Sequence, residues 1–331
     1  VTGPHIPLSQ AERQCVLPGT SRPLLNEGGS AQRRELGREL RRARLASQVT
    51  VKQLLSVMGW TDGMLHHLER GRRGTNPLDV ARLLGACHSD LPTHARVHHL
   101  LQEPAADHVV RAHPALAPDD LAMLAAHEDI ATTITIYSRL RIPDLVQTED
   151  YARAVLAHLP DAARRVDLRM ARQQRLLDRT PAPTVTVYLH EAALGRAALG
   201  SLGDDTIAHG QLLALAPRHD DHPWRIRLVP DIPEAPPWAW TLMPWSWTLM
   251  TFPEPIRTLT YSETPTATVF TEGDEHVYPP QLDLLDRIAL SRTATTTRLR
   301  LLAEELHAPE PTTGATATPS TTPSPDRPEA P

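Results

Sequence analysis

The sequence predicts an all-α N-terminal domain built on two short helices and a tight turn, followed by a larger α+β domain. Three observations carry that reading. Residues 31–87 are basic and place their apolar side chains at helical spacing between capping residues. From Pro118 onward helical and strand periods alternate, and both ends of the chain are polar, proline-rich and too poor in large apolar side chains to build a core.

Length and charge set the frame. At 331 residues the chain exceeds the ~100–200 of a usual single domain and can bury a core in each of two. Its two cysteines, Cys15 and Cys87, are far apart and lack C-x-x-C spacing, which argues against a disulfide framework or a cysteine zinc site and fits a reducing, cytoplasmic setting. No apolar run approaches the ~20 residues that span a bilayer, and the opening VTGPHIPLSQAERQCVLPGT has neither the basic start nor the apolar core of an export signal. Net charge is −5, yet residues 31–87 hold eleven Arg/Lys against five Asp/Glu, a net of +6 that leaves −11 for the remainder. A compact basic segment on an acidic protein is an electrostatic footprint for a phosphate backbone. With Lys52 the one lysine among thirty-four basic residues, the composition is arginine-rich throughout, and single arginines carry correspondingly less information.

Within that segment, AQRRELGRELRRARLAS puts Leu36, Leu40 and Ala43 on one stripe of a first helix. TVKQLLSVMG is a short second helix with Thr50 as N-cap, Leu54, Leu55 and Met58 turned inward, and Gly59 closing it in a left-handed conformation. Thr61 caps a third helix, DGMLHHLER, with Trp60 placed to staple onto Leu65 and Gly71 ending it. Two short helices meeting across Gly59-Trp60-Thr61 form a helix-turn-helix, which presents the start of its second helix to a DNA major groove. In TNPLDVARLLGAC, Asn76 caps, Pro77 takes the first helical position, and Val80, Leu83 and Leu84 cover the core.

The stretch LRRARLASQVTVKQLLSVMGWTDGMLHHLERGRR resembles the Cro/C1-type (XRE) helix-turn-helix regulators, a lambda-repressor-like fold. The resemblance implies an inter-helix ion pair between Arg44 and Glu69. It also implies departures: where such regulators usually carry side chains that reach bases or phosphates, this chain has Val51, Asp62, Gly63 and Met64. Asp62 has the wrong charge for a phosphate but can accept from a cytosine amino group. His66 and His67 remain as base readers, and Thr50, Lys52, Thr61, Arg72 and Arg73 are the expected phosphate contacts.

Residues 88–117 read as a histidine-rich linker. His94 and His98 stand at i, i+4, where two imidazoles can share a metal, but no motif places further ligands, and no metal or cofactor is expected. From 118 to 306 the pattern gives helices at QTEDYARAVLAHL, DAARRVDLRMARQQRLLDR, EAALGRAAL and GQLLALA, strands at TVTVYL, RIRLVP, RTLTYSE and TATVF, and two closing helices. The stretches IPDLVQTEDYARAVL, RMARQQRLLD, VYLHEAALGR and SWTLMTF resemble the C-terminal domain that accompanies this helix-turn-helix in a large actinobacterial regulator family, described as antitoxin-like and of unknown activity. That resemblance implies a small protein partner, encoded nearby, rather than catalysis. Asp144 stands where that family usually has glycine, which is expected to alter the local backbone.

PPWAWTLMPWSWTLMTFPEP spells W-x-W-T-L-M twice, seven residues apart. The resemblance reads WTLMTF as a strand, which makes WAWTLMP a tandem copy inserted before it. Trp245, Trp247 and Leu249 are then expected on one strand face, and Trp238 and Trp240 of the extra copy as core or as an exposed lip for a partner or ligand. HEDIA at His127 and HEAAL at His190 begin like zinc-protease helices but carry Ala131 and Leu194 where the second histidine belongs. There is no G-x-S-x-G, dinucleotide fingerprint or phosphate loop, so an enzyme is not expected. Residues 1–30 and 307–331, the latter with seven prolines, are expected to be disordered. The sequence thus points to a cytoplasmic transcriptional regulator that binds double-stranded DNA, as a homodimer, through residues 31–87 and a small protein through residues 118–306. The competing expectations are an antitoxin-like interaction module with weakened DNA binding and a small-molecule sensor; no membrane association is expected.

Overall fold

The computed structural model of the protein describes residues 29–72, 76–113, 118–195, 199, 203–216, 224–231 and 245–307. A helical N-terminal region is followed by a domain that combines helices with a mixed seven-stranded sheet of order β1-β7-β6-β5-β2-β3-β4. The strands are β1 (His108–Ala112), β2 (Thr133–Ser138), β3 (Thr184–His190), β4 (Trp224–Val229), β5 (Trp247–Thr251), β6 (Leu259–Glu263) and β7 (Ala267–Glu272). β7 is antiparallel to both β1 and β6, with Val110 opposite Val269 and Tyr261 opposite Phe270, whereas β3 and β4 are parallel. The chain divides into two compact units.

The first unit holds the described residues of Val1–Pro114, Asp120–Thr133 and Leu249–His276. Its helices are α1 (Ala31–Ala46), α2 (Val51–Met58), α3 (Asp62–Glu69), α4 (Pro77–Ala86), α5 (Leu91–Gln102) and α6 (Ala122–Glu128). Every start of α1 to α5 is fixed by a side chain: Ser30, Thr50, Thr61, Asn76 and Asp90 each accept from a backbone N–H of the first turn. Leu36, Leu40, Leu54, Met58, Leu65, Leu68, Val80, Leu83, Leu84, Cys87 and Val97 form one core. The segment read as a linker therefore contains α5, whose Val97 is buried in that core, and the strand β1. α1 and α3 pack so closely that a Cβ on Gly37 would lie 2.6 Å from the Glu69 carbonyl oxygen.

α1 is also buried on a second side, where the sequence shows charge rather than apolar residues. Arg34, 3% exposed, donates from Nε to His127 Nε2 (2.9 Å), from Nη1 to the Gly29 carbonyl (2.9 Å) and from Nη2 to Glu272 Oε1 (2.5 Å). Glu272 Oε2 accepts from the Ala31 N–H, and Arg111 on β1 bridges Glu35 on α1 and Glu103. The helical region and the elements α6, β1 and β7 are thus one packed body, held by ion pairs that cannot be opened without leaving a buried charge uncompensated.

The second unit holds the described residues of Ala115–Asp119, Ile134–Thr248 and Val277–Pro331. It contains α7 (Glu149–Leu156), α8 (Ala162–Leu177), α9 (Asp205–Leu215), α10 (Pro279–Ile288) and α11 (Arg292–His307). Within EAALGRAAL, a 3-10 turn, Glu191–Leu194, stands where the sequence pattern had a helix start. The motifs IPDLVQTEDYARAVL and RMARQQRLLD meet in a buried network: Arg169 donates to Asp119 (3.2 Å) and Gln147 (2.6 Å) and lies 3.3 Å from Asp144, while Arg172 donates to Asp119 (2.9 Å). Asp144 sits in a 3-10 turn and is not among the residues with left-handed backbone, so its Cβ is accommodated there without strain, and its carboxylate serves Arg169. On β5, Trp247 and Leu249 are buried but so are Thr248 and Met250, because β5 is an interior strand covered on both faces. Trp245 precedes the strand and is 73% exposed, so it does not share their face.

Candidate nucleic-acid interface

The helix-turn-helix is assembled as a self-capped pair. Thr50 forms a capping box, accepting from the Gln53 N–H while its own N–H donates to Gln53 Oε1 (3.0 Å). Gly59 takes φ of 67°, which turns the chain out of α2, and Thr61 accepts from the Met64 N–H to start α3. Trp60 packs partly buried against the core, fixing the turn. The two helix starts keep uncapped N–H groups and the positive end of each helix dipole available to an anion.

Of the residues expected to meet DNA, Thr50, Lys52, Thr61, Asp62, His66, His67 and Arg72 are all exposed, and Arg73 lies outside the described residues. Gly63 is exposed as well, and a Cβ built there approaches nothing nearer than Thr61 Oγ1 at 4.0 Å, so packing does not require glycine on this face. Met64 and Val51 are half-buried, and Val51 packs against the core, which explains an apolar residue at that position. Arg44 and Glu69 are brought together as a two-bonded pair, Nε to Oε1 at 2.6 Å and Nη2 to Oε2 at 2.9 Å, which ties the end of α1 to the end of α3.

Electrostatics sort the candidates by task. His66 titrates below its ordinary value, through desolvation first and then the cations Arg70, His67 and Arg72, against the opposing pull of Asp62. At neutral pH it is an uncharged ring that can donate to or accept from a base edge, and it is not a phosphate clamp. Asp62 is an acceptor suited to a cytosine amino group. The cations exposed for phosphate are Lys52, Arg70 and Arg72, with Arg41 and Arg42 on α1. Arg34, Arg38 and Arg44 are tied to Glu272, Asp129 and Glu69, so part of the segment's positive charge serves the fold.

Residues 35–97 match a family described as a helix-turn-helix domain. Residues 121–301, more than half of the chain, match the domain of unknown function DUF5753. The chain belongs to the DUF5753 family. Among curated proteins and solved structures nothing matches it. The helix-turn-helix match extends to residue 97 and so takes in the first half of α5. In the DUF5753 region, HEDIA begins in the last turn of α6, where His127 is fully buried and held neutral, its ring accepting from Arg34 and hydrogen-bonded through Nδ1 to the Met123 carbonyl (2.6 Å). That residue pairs α6 with α1 and faces no solvent. HEAAL starts at His190, the last residue of β3, whose Nδ1 accepts from the Ala192 N–H to cap the 3-10 turn. Trp238 and Trp240 lie outside the described residues.

Sequence reasoning missed β1, β2, α5 and α6, together with the buried charges of α1. β2 has the period-2 apolar signal, Ile134 and Ile136, that would have found it. Arg34 has no such signal, since an arginine beside other arginines on a helix reads as a solvated face.

Proposed function

We propose that the protein is a Cro/C1-type, sequence-specific transcriptional regulator that acts in the cytoplasm and reads double-stranded DNA with the start of α3. The observation that supports this most is the exposure, on two self-capped helix starts, of phosphate partners (Thr50, Lys52, Thr61, Arg72) around base readers (Asp62, His66, His67). Thr50 and Thr61 also cap their helices, but nothing in packing asks Lys52, Asp62, His66, His67 or Arg72 to be polar; a DNA partner does. A single helix-turn-helix reads few base pairs, so the protein works as a homodimer on two half-sites about one helical turn apart. The DUF5753 region then binds a small protein partner in the manner of an antitoxin, a reading that rests on its resemblance to regulators of that kind.

The test is fluorescence anisotropy of the full chain on a duplex from directly upstream of its own gene and on a scrambled duplex, at about 50 and 200 mM salt, where each lost phosphate contact lowers the salt slope by roughly one. Specific binding that weakens with salt, and that is lost with Arg72 and Arg73 both changed to alanine, is the expected result. Equal, weak binding to both duplexes would overturn it and leave the helix-turn-helix as a scaffold for the antitoxin-like module.

A further inference from the structure

Away from the DNA face, in the second unit, one end of the sheet gathers buried polar groups beneath an exposed apolar rim. Tyr137, fully buried on β2, and Trp247, first residue of β5, lie with ring centroids 6.0 Å apart, and Trp247 meets Tyr278, just before α10, at 5.0 Å. Tyr137 Oη and Trp247 Nε1 are both buried without a hydrogen-bond partner. A buried, unpaired donor is costly to keep, so two side by side call for a specific explanation.

Next to β2 in the sheet, β3 ends in His190, also buried. β3 and β4 run parallel, so His190 and Val229 close these two strands at one end of the sheet, and Arg139, one residue past β2, and Asp231, two past β4, both act on the His190 charge. Its Nδ1 accepts from Ala192, and desolvation first, then Arg139, keeps the ring neutral, so its proton is on Nε2. Tryptophan Nε1 can only donate, and the tyrosine hydroxyl donates readily. The unpaired groups on Tyr137 and Trp247 are therefore donors, while the charges acting on His190 are of both signs, Arg139 against Asp231 and Glu191.

The rim is apolar. Arg139 N–H donates to Ser246 Oγ (3.2 Å), which brings together the segments that carry Leu140 and Trp245, and these two residues are 71% and 73% exposed. Val277, adjoining Tyr278, is exposed as well. Exposed leucine, tryptophan and valine close in sequence to buried, unpartnered donors have the composition of a small-molecule site.

We propose that the second unit binds a small amphipathic molecule with an aromatic or similarly broad apolar body and an oxygen-acceptor head, a carboxylate or comparable anion, seated on Tyr137 and Trp247 with its body between Leu140 and Trp245. This site is independent of DNA binding, and its test contains no DNA. The probe is 8-anilinonaphthalene-1-sulfonate, which has such a body and head and brightens when desolvated.

The full chain is expected to bind the dye saturably at one site, to release it to 1-naphthoate, and to keep it against 1-methylnaphthalene, which has the body without the acceptor. Tyr137→Phe removes one oxygen and retains shape, and it should raise Kd about tenfold, the value of one hydrogen bond to a charged acceptor. Trp245→Ala, on the exposed rim, should weaken binding several-fold without changing Tm. Dye binding unmoved by both variants, or displaced equally by 1-methylnaphthalene, would overturn the proposal and leave the two orphaned donors to ordered water.

Discussion

The two sides of the helix-turn-helix obey different constraints. Its inner side is over-determined: Arg34 donates to His127, Gly29 and Glu272, Glu272 also holds the start of α1, and Gly37 and Gly71 lie where a Cβ would strike backbone within 2.6 Å. Its outer side, from Thr61 to His67, contributes Leu65 to the core, half-buries Met64 and otherwise leaves side chains in solvent. Folding thus fixes the inner residues and leaves the outer ones to whatever they bind. Departures such as Asp62 and Gly63 fall where the fold tolerates them, and they alter what is read more than whether the domain forms.

The largest way to break that contrast is Arg34→Ala, which leaves the Glu272 carboxylate buried and unpaired and should cost about 3–5 kcal/mol in urea unfolding. Arg44→Ala should cost less, about 2 kcal/mol, because its pair with Glu69 is two-bonded but partly open to solvent. A loss as small as that of a surface pair at either position would mean the inner side is not over-determined.

Acid sharpens the comparison. His127 titrates well below its ordinary value, by desolvation first and then the Arg34 charge, so the fold holds it neutral while the unfolded chain takes up a proton near pH 6.5. Stability is complete above about 6.5 and falls with pH below it, by about 1.4 kcal/mol per pH unit for this one group. His190, also depressed, acts in the same direction, so the difference in slope between the protein and His127→Gln isolates the inner-side contribution.

The outer side should respond weakly and in both directions. Thr61→Ala removes the α3 cap and should cost about 1 kcal/mol. Gly63→Ala enters open space and should stabilise α3 by about 1 kcal/mol. Thermal unfolding of both variants checks the pair; a destabilised Gly63→Ala would show that glycine there serves the fold after all.

What was legible follows the same division. Caps and apolar periods are local, so Thr50, Gly59, Thr61, Asn76 and the core leucines could be read along the chain, as could β3, β4, β6 and β7. Partners separated by more than ninety positions could not: Arg34 finds His127 and Glu272 only because α6 and β7 pack against α1. α5 and β1 escaped for a related reason. β1 is short, with Val109 as its one buried residue, and α5 is dominated by histidines and other polar residues with Val97 as its one fully buried side chain, so their place is set by neighbours rather than by their own pattern. At the interface the identity of exposed residues was readable, while the half-burial of Val51 and the open space at Gly63 required the fold.

Hydrogen exchange of the full chain, with and without the duplex from upstream of its gene, tests the division most directly. The account predicts slowed exchange at the starts of α2 and α3, around Val51–Gln53 and Asp62–Met64, and unchanged exchange at Ala31–Leu36 and in β7. Protection elsewhere with none at the two helix starts, under conditions where the duplex is bound, would contradict it.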